Sequence, residues 1–105
     1  MELQLADDPD RRRYEATSGS DVVAAVYYRL GEGVIEFTHT ETVPAVEGKG
    51  VASRLVRYAL DDVRARGLAV LPYCPYVRGW VKRHPEYVDL VPPDRRADFE
   101  LAPTG

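Results

Sequence analysis

The chain changes from a β-rich half to a helical half across Thr42-Val43-Pro44-Ala45-Val46-Glu47-Gly48-Lys49-Gly50-Val51-Ala52. Upstream of this stretch, β-branched and aromatic residues predominate in Val22 to Leu30 and in Val34 to Thr42, which predicts two strands. Gly31-Glu32-Gly33 between them predicts a tight hairpin turn. With a shorter strand candidate at Tyr14 to Thr17, the first half predicts an antiparallel meander.

Downstream of the same stretch, apolar residues recur at helical spacing and predict a first helix. They are Ala52, Leu55, Val56, Ala59, Leu60 and Val63, and Gly67 suits a left-handed helix end. Leu68 to Leu71 predicts a buried strand, Pro75 begins a second helix that ends near His84, and Tyr87 to Val91 predicts a last strand. The order β-β-β-α-β-α-β predicts an α/β (α+β) fold with a mixed central sheet flanked by helices.

Length, charge and cysteine content limit the possible classes of protein. The 105 residues fit one domain, 1–105, in which we expect 92–105 to be a loosely held C-terminal tail. Fourteen Lys and Arg against seventeen Asp and Glu give a net charge of −3, so we expect neither nucleic acid nor a membrane as a partner. We expect a cytoplasmic protein, because no apolar run approaches the roughly 20 residues that span a bilayer and the N-terminus is acidic.

The sequence also predicts neither a metal site nor a disulfide bond. Cys74 is the single cysteine, which excludes an internal disulfide and a cysteine-rich zinc site. We therefore expect no metal, and we expect the fold to depend on its apolar core.

The two glycines between strand and helix indicate an anion-binding turn. Gly48 and Gly50 allow close approach of a ligand to the backbone, and the first amides of the following helix lack partners within the helix. These amides and the helix dipole favour a phosphate or pyrophosphate, with Lys49 and Arg54 adding positive charge. The phosphate-loop and dinucleotide fingerprints are absent. By themselves, two glycines also fit a plain helix start with a flexible entry.

The stretch resembles the pyrophosphate-binding segment of the GNAT superfamily of N-acetyltransferases. That pattern runs strand, proline, Gln or Arg, two residues, Gly, one residue, then Gly or Ala. Pro44, Gly50 and Ala52 match it in register, whereas Glu47 stands where Gln or Arg is usual. A wider set of motifs resembles the short single-domain subgroup that lacks the usual N-terminal helical pair, over about Val22 to Val91. These motifs are His39-Thr40-Glu41, Glu47-Gly48-Lys49-Gly50, Tyr73-Cys74-Pro75 and His84-Pro85-Glu86-Tyr87.

The resemblance implies acetyl-coenzyme A as acyl donor. In the family, the strand before the turn splays from its neighbour, and the pantetheine arm lies in the gap, so Thr42 is expected to pair with it. The other expected coenzyme A contacts are Val43, Glu47, Gly48, Lys49, Gly50, Val51, Ala52, Ser53 and Tyr76. Many members carry a tyrosine on the second helix that protonates the leaving thiolate, but that position falls at Val81 here. Tyr73 or Tyr76 could replace it if either reaches the sulfur.

The end of the third strand carries candidate catalytic residues. By simple alternation His39 and Glu41 continue the face of Ile35 and Phe37, so an apolar face becomes polar just before the glycine turn. Acetyl transfer to an ammonium group needs a base, and these two side chains could act as base and orienter. Alternatively, the strand end simply emerges into solvent, or Glu41 pairs with an arginine. Glu36 is a second candidate base, and alternation points it away from His39.

Cys74 is the third candidate catalytic residue, since it precedes Pro75 at a helix start, where the dipole favours a thiolate. Three roles are open: a nucleophile that takes the acetyl group first, a proton donor to the departing thiolate, or a small packed side chain. Most family members transfer the acetyl group directly within a ternary complex.

Together these features predict an N-acetyltransferase that acts on a primary amine, either a small molecule or a protein lysine or N-terminus. The alternatives are a non-catalytic acyl-coenzyme A binding or sensing module and a plain interaction domain. The absence of the N-terminal helical pair leaves the acceptor open and leaves both a monomer and a homodimer possible.

Overall fold

The computed structural model describes residues 2–101 as a five-stranded mixed sheet with two α-helices. The strands lie in the order of the sequence: β1 (Gln4–Asp8), β2 (Arg13–Ser18), β3 (Asp21–Gly31), β4 (Val34–Thr42) and β5 (Ala69–Pro72). The first four are antiparallel neighbours, and β5 pairs in parallel with β4. The parallel pair needs a crossover, and helix α1 (Val51–Ala65) supplies it.

The core lies between the sheet and the two helices. Helix α1 buries the apolar stripe predicted from its spacing, and α2 (Pro75–Arg83) buries Val77, Trp80 and Val81. The sheet contributes one face, here called the core face, whose buried members include Tyr14, Ala16, Val26, Tyr28, Ile35 and Phe37. The predicted hairpin, both helices and the short strand before α2 are confirmed, with bounds that shift by only a few residues.

A β-bulge in β4 contradicts the predicted alternation. Tyr28 pairs with Phe37 but Tyr27 pairs with His39, so Thr38 is an extra residue opposite β3. An extra residue reverses the alternation of every side chain beyond it. The prediction that His39 and Glu41 continue the face of Ile35 and Phe37 is therefore wrong. They lie on the opposite side of the sheet, the same side as Glu36.

The side that carries Arg13, Glu15, Tyr27, His39 and Glu41 is here called the polar face. Thr40 lies on the core face instead, and its hydroxyl oxygen is 3.2 Å from Cys74 Sγ. The bulge thus divides the end of β4 into a polar side with two ionisable groups and a core side that touches the start of α2.

Three further elements differ from the sequence prediction. Strand β1 was not foreseen. The predicted last strand at Tyr87 to Val91 is wrong, because residues Pro85–Leu90 form a 3-10 helix in which Tyr87 packs under α1 and donates a hydrogen bond to Asp61. The expectation of a loosely held tail is wrong for residues 92–101, since Pro93–Phe99 is also a 3-10 helix and Phe99 and Leu101 are buried. The remainder of that tail, 102–105, lies outside the described residues.

Candidate functional site

The turn before α1 is built around two left-handed glycines. Gly48 and Gly50 have φ angles of 79° and 77°, which other residues adopt only with strain. Gly50 is the N-cap of α1 and offers no side chain to satisfy the first amides of the helix. The glycines therefore fix a helix start whose capping partner must come from elsewhere.

The hydrogen bonds of the turn leave a group of amides available. Glu47 and Lys49 donate to the carbonyls of Pro44 and Val46, at 3.3 and 3.2 Å. Within residues 2–101, no backbone or side-chain acceptor is bonded to the amides of Gly48, Gly50, Val51, Ala52 and Ser53. Here these five are called the free amides. A polar backbone at a helix N-terminus without protein partners is suited to an anion.

A cavity of about 370 Å³ lies at the free amides. It is lined by the turn itself together with Thr42 on β4 and Tyr76 on α2. Lys49 and Arg54 line a neighbouring recess beside Val51, so two cations stand next to the helix start. The glycine turn, Thr42 and Tyr76, predicted as parts of one binding site, are thus brought together.

Strands β4 and β5 separate where their pairing ends, which leaves a gap between them. Parallel pairing ends at Phe37 and Pro72, and one further bond joins the Cys74 amide to the Phe37 carbonyl at 2.8 Å. Farther along, the Val43 amide donates to the Val23 carbonyl of β3. By alternation the backbone of Thr42 faces away from β3, into the gap. An extended ligand in this gap can form backbone hydrogen bonds with one strand only, which is β4.

His39 and Glu41 are brought into contact on the polar face. His39 Nε2 is 3.2 Å from Glu41 Oε1, and both side chains are more than half exposed. The other carboxylate oxygen of Glu41 accepts from the Tyr27 hydroxyl at 3.3 Å, and the Tyr27 ring stacks on the His39 imidazole. Arg13 donates to the Tyr27 oxygen at 3.1 Å. Tyr27 and Arg13 were missed by the sequence analysis, because only the bulge brings β3 into this register.

Cys74 is brought to the same end of the sheet but on the other side. It is the N-cap of α2, its side chain is 2% exposed, and its sulfur contacts Thr40. The three predicted catalytic residues therefore form two groups, a His39–Glu41 pair and a Cys74–Thr40 contact, separated by the thickness of β4. Val81, at the position where a tyrosine is usual, is buried in the core.

Trp80 connects α2 to the glycine turn. Its indole N–H donates to Ser53 Oγ at 2.8 Å, and its ring stacks on His84. Trp80 is also a core residue, since its side chain is fully buried. The hydrogen bond to Ser53 adds a second role, because Ser53 carries one of the free amides.

A second and larger cavity, about 640 Å³, lies beside the end of β4. Its walls are residues 22–25 of β3, residues 40–44, Arg13 and Glu47. Thr42 and Glu47 also line the smaller cavity at the free amides, so the two cavities meet at these residues. We call them the large cavity and the turn cavity.

No helix within residues 2–101 is long and apolar enough to cross a bilayer. Over the same range, no three His, Cys, Asp or Glu side chains are grouped as metal ligands.

Comparison with known proteins gives consistent matches to one family. Residues 13–90 match the family model described as GCN5-related N-acetyl-transferase. The human protein NATD1 is 31% identical over 90 residues, covering 80% of each chain. Chicken protein NATD1 is 28% identical over 95 residues, covering 87% of this chain and 86% of its own. The fold matches the NMR structure of a GCN5-like protein from Staphylococcus aureus with a TM-score of 0.64 and 17% identity, covering 87% of each chain.

Proposed function

Because the chain belongs to the GCN5-related N-acetyltransferase family, we propose that it transfers an acetyl group from acetyl-coenzyme A to a primary amine. The observation that carries this proposal is the group of five free amides at the start of α1. Their arrangement fits a diphosphate, which needs several hydrogen-bond donors close together. Lys49 and Arg54 add charge of the right sign beside them.

We propose that the gap between β4 and β5 receives the pantetheine arm. The backbone of Thr42 faces this gap, and Tyr76 forms the wall of the turn cavity on the α2 side. Val43 and the backbone of residues 47–53 complete the binding segment. Acetyl-coenzyme A supplies the activated thioester, and the chain supplies position: the turn fixes the diphosphate, which sets how far the tethered thioester reaches along β4.

The His39–Glu41 pair is suited to removing a proton from the acceptor. The ammonium form of the amine gives one proton to His39, which Glu41 holds by a 3.2 Å contact. The free amine forms the C–N bond as the C–S bond breaks. The second amine proton leaves as the amide forms, and the departing thiolate takes up one proton, so that one proton in total passes to solvent. A backbone N–H of β4 in the gap opposes the negative charge that develops on the carbonyl oxygen.

Cys74 is proposed to line this site rather than to carry the acetyl group. Its sulfur is buried against Thr40, which limits its approach to a thioester as an attacking group. The position near the gap leaves it able to give a proton to the departing thiolate, a role that Val81 cannot fill.

A test that distinguishes turnover from binding is the release of free coenzyme A thiol. We expect release that requires both acetyl-coenzyme A and an amine, followed by detection of the acetylated amine by mass spectrometry. Tight binding of acetyl-coenzyme A without release under any amine would instead support a binding or sensing module. The feature that favours this second candidate is Val81, which leaves the family's usual proton donor absent. Absence of binding in calorimetry would contradict both.

A further inference from the structure

Glu47 is the residue in the binding segment that acetyl-coenzyme A does not explain. Glu47 is exposed, directly precedes Gly48 in the chain and lines the turn cavity, where the proposed diphosphate carries negative charge. A carboxylate and a diphosphate are both negatively charged, so they repel each other when they lie close together. The family pattern has Gln or Arg at this position. A carboxylate at this position therefore either interacts with a ligand other than the diphosphate or weakens the binding of the diphosphate.

The structure gives Glu47 a second environment, since it also lines the large cavity. Glu41 lines the same cavity, from the position at which it holds His39. The cavity has the volume of an ordinary small-molecule site, and it meets the turn cavity at Thr42 and Glu47. A molecule in the large cavity is thus adjacent both to the proposed base and to the gap that receives the thioester arm.

The charge of the cavity wall is negative. Arg13 is the one cation among its lining residues, and Glu15 neutralises it through a 2.8 Å ion pair. Glu41 and Glu47 remain. The rest of the wall is largely apolar, with exposed side chains of Val22 and Val43 and the ring of Pro44. Such a wall suits alkyl chains that carry cationic groups.

We propose that the large cavity is the acceptor site and that it selects a small alkyl amine with a second positive charge. This inference rests on the proposed acetyl transfer. The reacting nitrogen lies towards Glu41 and His39 and must lose its charge before attack. The other nitrogen keeps its charge and is held by Glu47, a residue that contributes to choice of acceptor and not to bond making.

The test compares diaminobutane with butylamine, which has the same carbon chain and one charge fewer. For the diamine, we expect Glu47→Gln to raise the acceptor KM about threefold to fivefold, the range of an exposed ion pair, without lowering kcat. For the monoamine, we expect no change in KM. Glu32→Gln, at the tip of the β3–β4 hairpin and outside both cavities, is the matched control and is expected to leave both values unchanged.

A second readout needs no turnover. In NMR titrations of the labelled protein, we expect diaminobutane to shift the amide signals of residues 22–25, 42–43 and 45–47, and to do so more weakly in Glu47→Gln. Shifts confined to other surfaces, or equal binding of the two amines, would overturn the inference even if acetyl transfer is found. Binding of the diamine in the large cavity without binding of acetyl-coenzyme A would instead contradict the proposed function and leave the cation site standing.

Discussion

At the scale of single residues, Glu41 is held at both of its carboxylate oxygens. One contacts His39 Nε2 at 3.2 Å and the other accepts from Tyr27 at 3.3 Å. Arg13 donates in turn to the Tyr27 oxygen, so three strands fix a single carboxylate. A carboxylate with two fixed partners can orient an imidazole in the way a general base requires.

We expect His39→Ala to lower kcat by roughly 10²- to 10⁴-fold, the usual contribution of a positioned base. Glu41→Gln should lower kcat less, and the double variant should be no slower than His39→Ala, because the two side chains act as one unit. Steady-state rates with acetyl-coenzyme A at saturation measure this. Glu36→Gln is the control, since Glu36 lies on the same face and pairs with Arg29. Full activity of both single variants at the pair would show that the base is elsewhere.

Cys74 gives a second prediction at this scale. Because its side chain is 2% exposed and contacts Thr40, we expect Cys74→Ser to keep the fold and to lower kcat only modestly, since the serine hydroxyl still offers a proton at this place. We also expect no acetylated protein when acetyl-coenzyme A is added without an amine. Intact-mass spectrometry measures this directly. An acetyl adduct present in the unaltered protein and missing in Cys74→Ser would establish the covalent route instead.

At the scale of elements, α2 supports the start of α1 through one hydrogen bond. An indole N–H only donates, so the Ser53 oxygen accepts from Trp80 and its own hydroxyl proton points elsewhere. The free amide of Ser53 and this hydroxyl can then donate to the same phosphate group. Trp80 is thus a positioning residue for the proposed diphosphate site.

We expect Trp80→Phe, which keeps an aromatic ring beside His84, to raise the KM for acetyl-coenzyme A by about two- to tenfold, the value of one hydrogen bond. The value of kcat should hardly change. Ser53→Ala should have a similar effect, and the double variant should be no worse than either single one. If the effects of the two substitutions simply add, the bond does not act through Ser53.

The elements also show what the sequence could predict. The hairpin at Gly31-Glu32-Gly33, the stripe of α1 and the entry of α2 at Pro75 follow from local spacing and turn chemistry, and all three are confirmed. The bulge at Thr38 has no local signature, because it depends on how β3 and β4 pair. The predicted strand at Tyr87 to Val91 is wrong because hydrogen bonds with Asp61 and Arg57 of α1, which lie far away in the sequence, hold Tyr87 in a 3-10 helix.

Some parts of the candidate site could be predicted and others could not, again because only some of them depend on residues that are close in the sequence. The glycine turn lies within a few residues of sequence, so its helix start and its left-handed glycines could be foreseen. The partners of Glu41 could not, since Tyr27 and Arg13 come from two other strands. The bulge moves His39 and Glu41 together to the other side of the sheet. They still contact each other, because residues two apart in a strand share a face.

At the scale of the whole molecule, α1 is tied to the first strands through buried tyrosines. Tyr14 of β2 donates to Asp62 of α1 at 2.6 Å, and Tyr28 donates to Asp7 of β1 at 2.6 Å. Arg66 forms ion pairs with the carboxylates of both Asp7 and Asp62. Burial, followed by the hydrogen bond to Asp62, raises the pKa of Tyr14 above its ordinary value of about 10.

A raised tyrosine pKa makes the fold sensitive to alkali. The folded chain keeps a proton that the unfolded chain loses above about pH 10, so the contribution of Tyr14 is complete below that pH and declines as the pH rises further. We expect Tyr14→Phe to lower the free energy of unfolding by about 1–2 kcal/mol at neutral pH. The difference from the unaltered protein should narrow above about pH 10, as followed by denaturant titration at several pH values. A difference that stays constant with pH would exclude this linkage.

The binding of a diphosphate by the free amides can be observed by NMR titration with coenzyme A. We expect the amide proton signals of Gly48, Gly50, Val51, Ala52 and Ser53 to move downfield as they gain an acceptor. Pantetheine, which lacks the diphosphate, should leave these five signals in place. If coenzyme A and pantetheine shift them alike, or if coenzyme A shifts other residues and not these, the helix start before α1 does not bind the diphosphate.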